Sequence, residues 1–172
     1  MKGTIVVCLK ELVEKKFGKP TWTQTLSEAG VTSQVFLAPS DVPDSTVVKI
    51  LGALADVTHA PAQALMDAFG DYWANEYAPR LYDAYFRQHA SAMSFLLAMD
   101  TLHASVTKTV PNAHPPRFTY EKQGPKAFVM TYASHRGLGA MVPGLVRGIA
   151  RHYHERCTVK ELGGNRFEVS FA

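Results

Sequence analysis

The sequence predicts an α+β fold, in which a helical N-terminal part packs on a C-terminal part with a four-stranded antiparallel sheet. Apolar residues recur at helical spacing over about the first two-thirds of the chain. The spacing then changes to alternate residues in several short segments. Two turn signals, QGP at 123–125 and GGN at 163–165, each separate a pair of these segments and therefore predict two hairpins.

Helical periodicity with clear stop signals defines the N-terminal part. The first helix is predicted to end before Gly18 and Pro20, and the second to begin at a Thr21 cap and end at Gly30. A third is predicted to begin at Pro43, because proline suits the first turn of a helix. The predicted helices are 3–17, 21–30, 43–57, 60–79, 81–90 and 92–108.

The C-terminal part is predicted to hold two hairpins with one helix between them. In the last strand Phe167, Val169 and Phe171 face one way. The intervening helix, over 141–153, places Met141, Leu145, Ile149 and Tyr153 on a shared face. The predicted strands are 117–122, 126–132, 157–162 and 166–172.

Composition indicates one globular domain. The chain has 172 residues, 47% of them hydrophobic and 19% charged, which suffices for a single sizeable core. The formal net charge is only +3 and there is no Lys/Arg block, so nucleic acid is not expected as a partner.

The cysteines and the N-terminal segment bear on location. Cys8 and Cys157 are too few for a secreted disulfide framework, which fits a reducing compartment. The apolar run from Thr4 to Leu9 is too short for a signal-peptide core or a bilayer span. A cytoplasmic protein without membrane contact is therefore expected.

His103 is the first candidate functional residue. It shares an apolar helical line with Leu96, Met99 and Val106, where an imidazole is costly unless its nitrogens find partners. One reading is a core histidine bonded to backbone. The other is an axial metal ligand, since haem iron is held by such an imidazole.

The end of the second predicted strand is the next candidate. Alternation sends Tyr132, Ser134 and Arg136 to the face that begins with Phe128 and Met130. A guanidinium grips carboxylates in pairs and hydroxyls add donors, so the three suit a ligand with an apolar body and anionic tails. The alternative is a solvated strand end.

Two other segments contain residues that could form a site. Adjacent Pro115 and Pro116 form either a plain helix-to-strand turn or a stiff wedge against a flat cofactor. His152, His154 and Cys157 invite a metal site, but helical residues two apart point away from each other. The catalytic motifs G-x-S-x-G and H-E-x-x-H and a glycine-rich phosphate loop are absent from the sequence.

Several of these segments together resemble a known family. MKG at 1–3, AFGDYW at 68–73, LHASV at 102–106, PPRF at 115–118 and the Y-x-S-x-R of 132–136 occur in family order and spacing. The chain thus resembles an H-NOX domain, the haem nitric oxide/oxygen binding family that includes the haem domain of soluble guanylate cyclase. The resemblance covers essentially the whole chain. It implies a single domain over 1–172, with a helical subdomain at about 1–60 and a haem-ligating subdomain at about 61–172.

The resemblance implies a role for each matching residue around haem b, iron protoporphyrin IX. His103 matches the proximal iron ligand, and Tyr132, Ser134 and Arg136 match the clamp on the haem propionates. Pro116 matches the proline that presses on and distorts the porphyrin, and Ile5 an apolar residue packed on it. The positions that match the distal pocket are Trp73, Met141 and Leu145.

One departure from the family bears on the gas. Oxygen-binding members carry a distal tyrosine after the Y-x-S-x-R motif, but here the helix has none before Tyr153. Losing a hydrogen bond to a developing anion costs about 1.5–3 kcal/mol, or roughly 10- to 100-fold in affinity. A sensor that binds NO and CO and excludes O2 is therefore expected, with the Trp73 indole N–H as the one donor that could support O2.

The resemblance also implies how such a domain signals. NO binding weakens or breaks the Fe–His103 bond, the haem relaxes, and the released helix passes the signal to a partner. In bacterial relatives the partner is a histidine kinase or a cyclic-di-GMP enzyme. A non-enzymatic monomer is expected.

Two alternatives of other classes stay open. A haem enzyme, such as a peroxidase or NO dioxygenase, would need a distal acid or base. A haem-free module of the same fold would hold an apolar acid against Arg136.

Overall fold

The structure is a computed structural model that describes residues 1–32 and 35–172. Its helices are α1 (Thr4–Phe17), α2 (Lys19–Glu28), α3 (Asp44–Thr58), α4 (Ala62–Tyr72), α5 (Ala78–Arg87), α6 (Ala92–Leu97), α7 (Met99–Thr107) and α8 (Val142–His152). Its strands are β1 (Arg117–Lys122), β2 (Ala127–Ala133), β3 (Cys157–Gly163) and β4 (Arg166–Phe171). The predicted α+β class with one four-stranded antiparallel sheet is confirmed.

The chain divides into two compact units, Met1–Phe69 and Gly70–Ala172. The sequence predicts a division near residue 60, earlier in the chain than the structure has it, and the single-domain assignment stays a prediction. In the part of the chain that the structure describes, every helix is too short or too polar to cross a membrane.

The first unit is helical. In α1, Val6, Leu9 and Val13 are buried at helical spacing, and Gly18 ends the helix with a φ of 91°. The predicted Thr21 cap is wrong: α2 begins at Lys19, because a proline in the first turn needs no N–H partner there. The Thr21 hydroxyl instead donates to the Phe17 carbonyl at 2.9 Å.

The predicted helix 60–79 is interrupted in the second unit. After α4 the residues Trp73–Tyr77 form a π turn, and the Ala78 N–H bonds to the Trp73 carbonyl. Such a turn inserts one extra residue into a helix and is frequent at functional sites. Apolar spacing of an α-helix does not reveal it.

The predicted helix 92–108 is also two helices. Ser91 caps α6 by accepting the N–H of Ser94 at 3.1 Å, and Ala98 separates α6 from α7. Leu96 therefore lies on a different helix from His103, and the line drawn through both is wrong. Leu96 is buried, whereas α7 has no fully buried residue.

The sheet has the strand order β1-β2-β4-β3, with both predicted hairpins in place. Gly163, Gly164 and Asn165 all have positive φ, which explains the GGN turn signal. Phe128, Met130 and Val169 from the two central strands are buried in one core.

Helix α8 covers this core, but not with the predicted face. Val142, Val146, Ile149 and Ala150 belong to the buried cluster, and Tyr153 packs at its edge. Met141 is buried and Leu145 half-buried, yet within the described residues neither belongs to this cluster. The predicted stripe thus mixed two faces of the helix.

Candidate functional site

The His103 side chain has a defined tautomer. Its Nδ1 lies 2.9 Å from the Met99 carbonyl, one turn back in α7. Because a carbonyl oxygen only accepts, Nδ1 must carry the proton of the neutral ring. The lone pair is then on Nε2, which is how metal-binding histidines are commonly oriented.

The surroundings of His103 favour the neutral ring. Burial lowers the pKa of His103, while the hydrogen bond to Met99 and the charge of Asp100 act in the opposite direction. The side chain is half-buried. A neutral imidazole with a free lone pair is the form that binds a metal.

Asp100 joins the His103 helix to β1. Its Oδ1 accepts from Arg117 Nε at 2.7 Å and from the Phe118 N–H at 2.9 Å, and its Oδ2 accepts from Arg117 Nη2 at 2.7 Å. The hydrogen bond from Arg117, followed by that from Phe118, lowers the pKa of Asp100 to about 2. The N-terminal end of α7 is thereby fixed to the sheet.

An aromatic line connects His103 with the predicted clamp. The rings of His103 and Phe118 have centroids 5.5 Å apart, and those of Phe118 and Tyr132 5.7 Å apart. Phe118 and Tyr132 are cross-strand partners in β1 and β2. The structure therefore brings His103 and Tyr132 to the same end of the sheet.

The reason given for the Y-x-S-x-R element needs correction. Strand β2 ends at Ala133, so Ser134 and Arg136 lie in the following turn and strand alternation does not apply to them. The turn instead joins them, since the Ser134 hydroxyl oxygen accepts the Arg136 N–H at 3.2 Å. Arg136 Nη1 also donates to the His114 carbonyl.

This last contact places the clamp turn beside the segment of Pro116. His114 stands two residues before Pro116, which is half-buried. The rings of His114 and His135 have centroids 6.2 Å apart across the same junction. Proline fixes φ, so the chain between α7 and β1 is stiff where it passes Arg136.

The remaining predicted site residues are distributed over both units. Trp73 lies in the π turn, stacked on Tyr77 at 5.4 Å, and Met141 and Leu145 lie at the start of α8. Ile5 is a half-buried residue of α1 in the other unit. Their assignment to the walls of a pocket stays a prediction.

The residues of the second unit have the chemistry that haem requires. Haem needs a neutral imidazole for iron, apolar and aromatic contacts for the macrocycle, and donors for two carboxylates. His103 offers the Nε2 lone pair, Phe118 and Pro116 the apolar contacts, and Arg136 with two hydroxyls the donors. The donor set fits the group.

The other candidate sites have less structural support. Among the described residues, no group of three His, Cys, Asp or Glu side chains could hold a metal ion, so His152, His154 and Cys157 form no metal site there. An open cleft of about 620 Å³ lies between α2 and α3, lined by Gln24, Glu28, Ala29, Gly30, Lys49, Gly52, Ala53, Asp56, Val57 and His59. It belongs to the first unit and contains none of the predicted site residues.

Comparison with models of known protein families assigns the chain to one family. A family model described as Haem-NO-binding (HNOB) matches residues 2–161. The chain belongs to this family. The H-NOX resemblance seen in the sequence is thereby confirmed.

Curated relatives connect this H-NOX domain with soluble guanylate cyclases. It is 26% identical over 164 residues to the soluble guanylate cyclase gcy-31 of Caenorhabditis elegans, with 94% of this chain and 23% of the relative covered. It is also 26% identical over 170 residues to gcy-35 of the same organism, covering 94% of this chain and 24% of that protein. The chain thus spans about a quarter of the length of these relatives.

Solved H-NOX structures share the fold. An Fe(II) unliganded H-NOX protein from K. algicida superimposes with a TM-score of 0.86 at 20% identity, covering 100% of this chain and 97% of that one. An oxygen-binding H-NOX domain related to soluble guanylate cyclases, solved as its oxygen complex, gives 0.83 at 23% identity, with 99% and 95% covered.

Two residues of the site, Asp100 and Phe118, were not predicted as site residues from the sequence. The carboxylate of Asp100 lies three residues before His103, on the same side of the helix, and this spacing could have indicated a partner. Phe118 was named as part of a strand and of the PPRF segment but not as a site residue, although its pairing with Tyr132 places it on the Tyr132 side of the sheet.

Proposed function

We propose that this chain is a haem-based gas sensor that binds NO and CO at ferrous haem b and excludes O2. The observation that supports it best is the His103 tautomer, because the Met99 carbonyl leaves the Nε2 lone pair for a metal. Membership of the Haem-NO-binding family supplies the ligand class. Ferrous haem, when bound, would supply the iron to which NO and CO bind.

The chain's own residues would hold the cofactor as follows. His103 would ligate iron, and Tyr132, Ser134 and Arg136 would bind the carboxylates, with the Arg136 guanidinium as the cationic donor. Pro116 would press on the macrocycle from the stiff segment after α7, and Ile5 would pack on it. Trp73, Met141 and Leu145 would line the side on which the gas binds.

Selectivity against O2 is supported by the hydrogen bonds of Tyr153. Its hydroxyl donates to the Phe86 carbonyl at 2.7 Å, at the edge of the core of the second unit. Burial raises the pKa of Tyr153 to about 12. Tyr153 is the first tyrosine after the clamp. Because its hydroxyl already donates to Phe86, it is not available to stabilise bound O2.

Signal output would come from α7. No residue of this helix is fully buried, whereas its first turn is held to β1 through Asp100. His103 would tether the rest of the helix to the iron, while the Asp100 contacts would keep its N-terminal end anchored with or without that tether. This is an element with two positions that one ligand biases, as a switch requires.

The proposed sensor has no catalysis of its own and acts through a partner. A histidine kinase or a cyclic-di-GMP enzyme, as in bacterial signalling, and a guanylate cyclase, as in the curated relatives, are the candidate partners. A cytoplasmic, monomeric sensor without nucleic-acid or membrane contact is part of the same proposal.

Absorption spectroscopy of the purified ferrous protein tests the function. Spectra are taken under argon, then with CO, NO and air. A Soret band that shifts with CO and NO, and slow oxidation in air without an oxy spectrum, are expected. A colourless protein that binds no added haem would favour the haem-free module, and turnover of peroxide with a donor substrate the enzyme.

A further inference from the structure

Helices α4 and α8 touch backbone to backbone next to the π turn. A Cβ on Gly70 would lie 2.2 Å from the backbone carbon of Gly144, and one on Gly148 would lie 2.4 Å from the Gly70 carbonyl oxygen. Both distances are far below van der Waals contact, so only glycine fits at this crossing. This close contact fixes the position of α4 against α8 three residues before the π turn begins.

The Asn75 side chain adds a polar connection at the same crossing. Its Nδ2 lies 3.1 Å from the Gly148 carbonyl, 3.0 Å from the Asp71 carbonyl and 3.0 Å from Asp71 Oδ1. An amide has two N–H groups, so at least one of them is shared. Among these partners Gly148 is the one on α8, and its bond to Asn75 joins residues 73 positions apart.

Two further contacts join the same segments. Arg151 Nη1 lies 2.7 Å from Asp71 Oδ1, but the side chains of Arg151 and Asp71 are 67% and 38% exposed, so water screens the pair. The Ala74 backbone lies near the His152 ring and favours its protonated form, although burial lowers the pKa of His152 overall. The half-buried Asn75 amide contacts both the carbonyl before the π turn and the one on α8.

We propose that Asn75 is a positioning residue that sets the Trp73 indole relative to the start of α8. This inference rests on the proposed function, in which Trp73 and Leu145 line the gas pocket. Trp73 lies two residues before Asn75 in the π turn, and Leu145 lies three residues before Gly148. The Asn75–Gly148 bond thus joins the two segments that carry the pocket walls.

The π turn explains why the single Asn75 amide can determine the direction of the Trp73 side chain. Side-chain direction along a helix depends on the number of residues in each turn, so a turn with an extra residue redirects the side chains around it. Here the redirected Trp73 ring stacks on Tyr77 at an interplanar angle of 25°. Without the bond to Gly148 the turn can return to α-helical spacing, and the indole then points elsewhere.

The test compares Asn75→Leu, which keeps the approximate size but has no donor, with Arg151→Gln, which removes only the exposed pair. Haem loading is read from the Soret band of the wild type and both variants. The Kd for CO is measured by titrating each ferrous protein. The CO-bound forms then give the C–O stretching frequency and the indole N–H cross-peaks in nitrogen–proton NMR. The chain has two tryptophans, so Trp22 in the other unit serves as the internal reference.

We expect Asn75→Leu to bind haem, to move the Trp73 cross-peak and not that of Trp22, and to shift the C–O frequency. The Kd for CO should change about 2- to 10-fold, as expected for one lost hydrogen bond. Arg151→Gln should match the wild type in all three measurements. Asn75→Ser, which is too short to reach Gly148, replaces Asn75→Leu if the latter does not fold.

Two results would overturn the inference. One is a haem-loaded Asn75 variant with the wild-type C–O frequency and Kd. The other is an equal shift in Arg151→Gln, which would indicate general loosening of the crossing. If the wild type binds no haem, the proposed function fails separately, and a stationary Trp73 cross-peak in the haem-free Asn75 variant then refutes the positioning role.

Discussion

Asp100 and Arg117 form a bidentate pair, with both nitrogen–oxygen distances at 2.7 Å. The same carboxylate accepts the Phe118 N–H, so it connects α7 to the first residues of β1 through three hydrogen bonds. Paired donors in a planar fork make such contacts stronger and more directional than single ones. Since His103 lies three residues along the same helix, the pair fixes one end of the predicted sensing element.

Replacing this carboxylate should loosen that end of α7. Asp100→Asn keeps one acceptor for the Phe118 N–H but loses the charge and the second oxygen for Arg117. We expect a lower melting temperature and faster amide hydrogen exchange in α7. Asp83→Asn is the matched control, because Asp83 pairs with Arg87 within one exposed helix turn and should have little effect. Equal effects of the two variants would contradict the anchoring role.

The stability contributed by Asp100 should depend on pH in a defined window. Its pKa is about 2 in the folded chain, against an ordinary value of 3.8. A lowered folded-state pKa gives stability that is present above 3.8 and is lost as the pH falls through about 2. The melting temperatures of the wild type and Asp100→Asn should therefore differ at neutral pH and converge towards pH 2. A gap that persists undiminished there would assign the stability to another group.

The core of the second unit should respond strongly to Phe128. This ring has no exposed surface and contacts Phe171 and Tyr120 at centroid distances of 6.4 and 5.8 Å. Phe128→Ala should lower the free energy of unfolding by about 3–5 kcal/mol, through lost burial and the cavity left behind. Leu162→Ala, on β3 of the same sheet and 42% exposed, should cost roughly 0.5 kcal/mol or less. Urea unfolding followed by circular dichroism compares the two.

The two proposed roles of His103, as the iron ligand and as the tether of α7, should be separable by mutation. His103→Gly removes the side chain, and free imidazole can then occupy the same space as a detached ligand. With imidazole we expect the variant to bind haem and NO, but to lose NO-dependent regulation of its partner, because α7 no longer follows the ligand. A kinase or cyclase assay with the partner measures this. Normal regulation by the imidazole-supplemented variant would refute the tether.

Periodic patterns predicted the elements that bury a regular face. The hairpins came from period-two alternation and from turns with residues such as Asn165, which tolerate positive φ. Helix α1 came from apolar residues at 3.6 spacing. The four-stranded sheet and the α+β class follow from these local signals alone.

The irregular elements around the site could not be predicted in this way. The π turn at Trp73 and the break at Ala98 keep an apolar sequence continuous while changing the backbone. The turn that holds Ser134 and Arg136 was predicted as strand because these residues continue the alternate positions of Phe128, Met130 and Tyr132. At the π turn the bond between Asn75 and Gly148, and at the clamp turn the bond between Arg136 and His114, hold the backbone in a form that local spacing does not encode.

Met141 offers the most direct test of the predicted gas selectivity. It is the residue directly before α8, and the proposal places it on the pocket wall, where its side chain offers no hydrogen-bond donor. Met141→Tyr supplies a hydroxyl, which should raise O2 affinity roughly 10- to 100-fold, by the about 1.5–3 kcal/mol of a hydrogen bond to a charged acceptor. Met141→Phe has the same ring without the hydroxyl and should oxidise in air as the wild type does. Spectra of the three ferrous proteins in air, followed over time, decide the matter. A stable oxy spectrum in the wild type would show that Trp73 or another donor already serves O2, and one in Met141→Phe would show that pocket shape, not hydrogen bonding, excludes the gas.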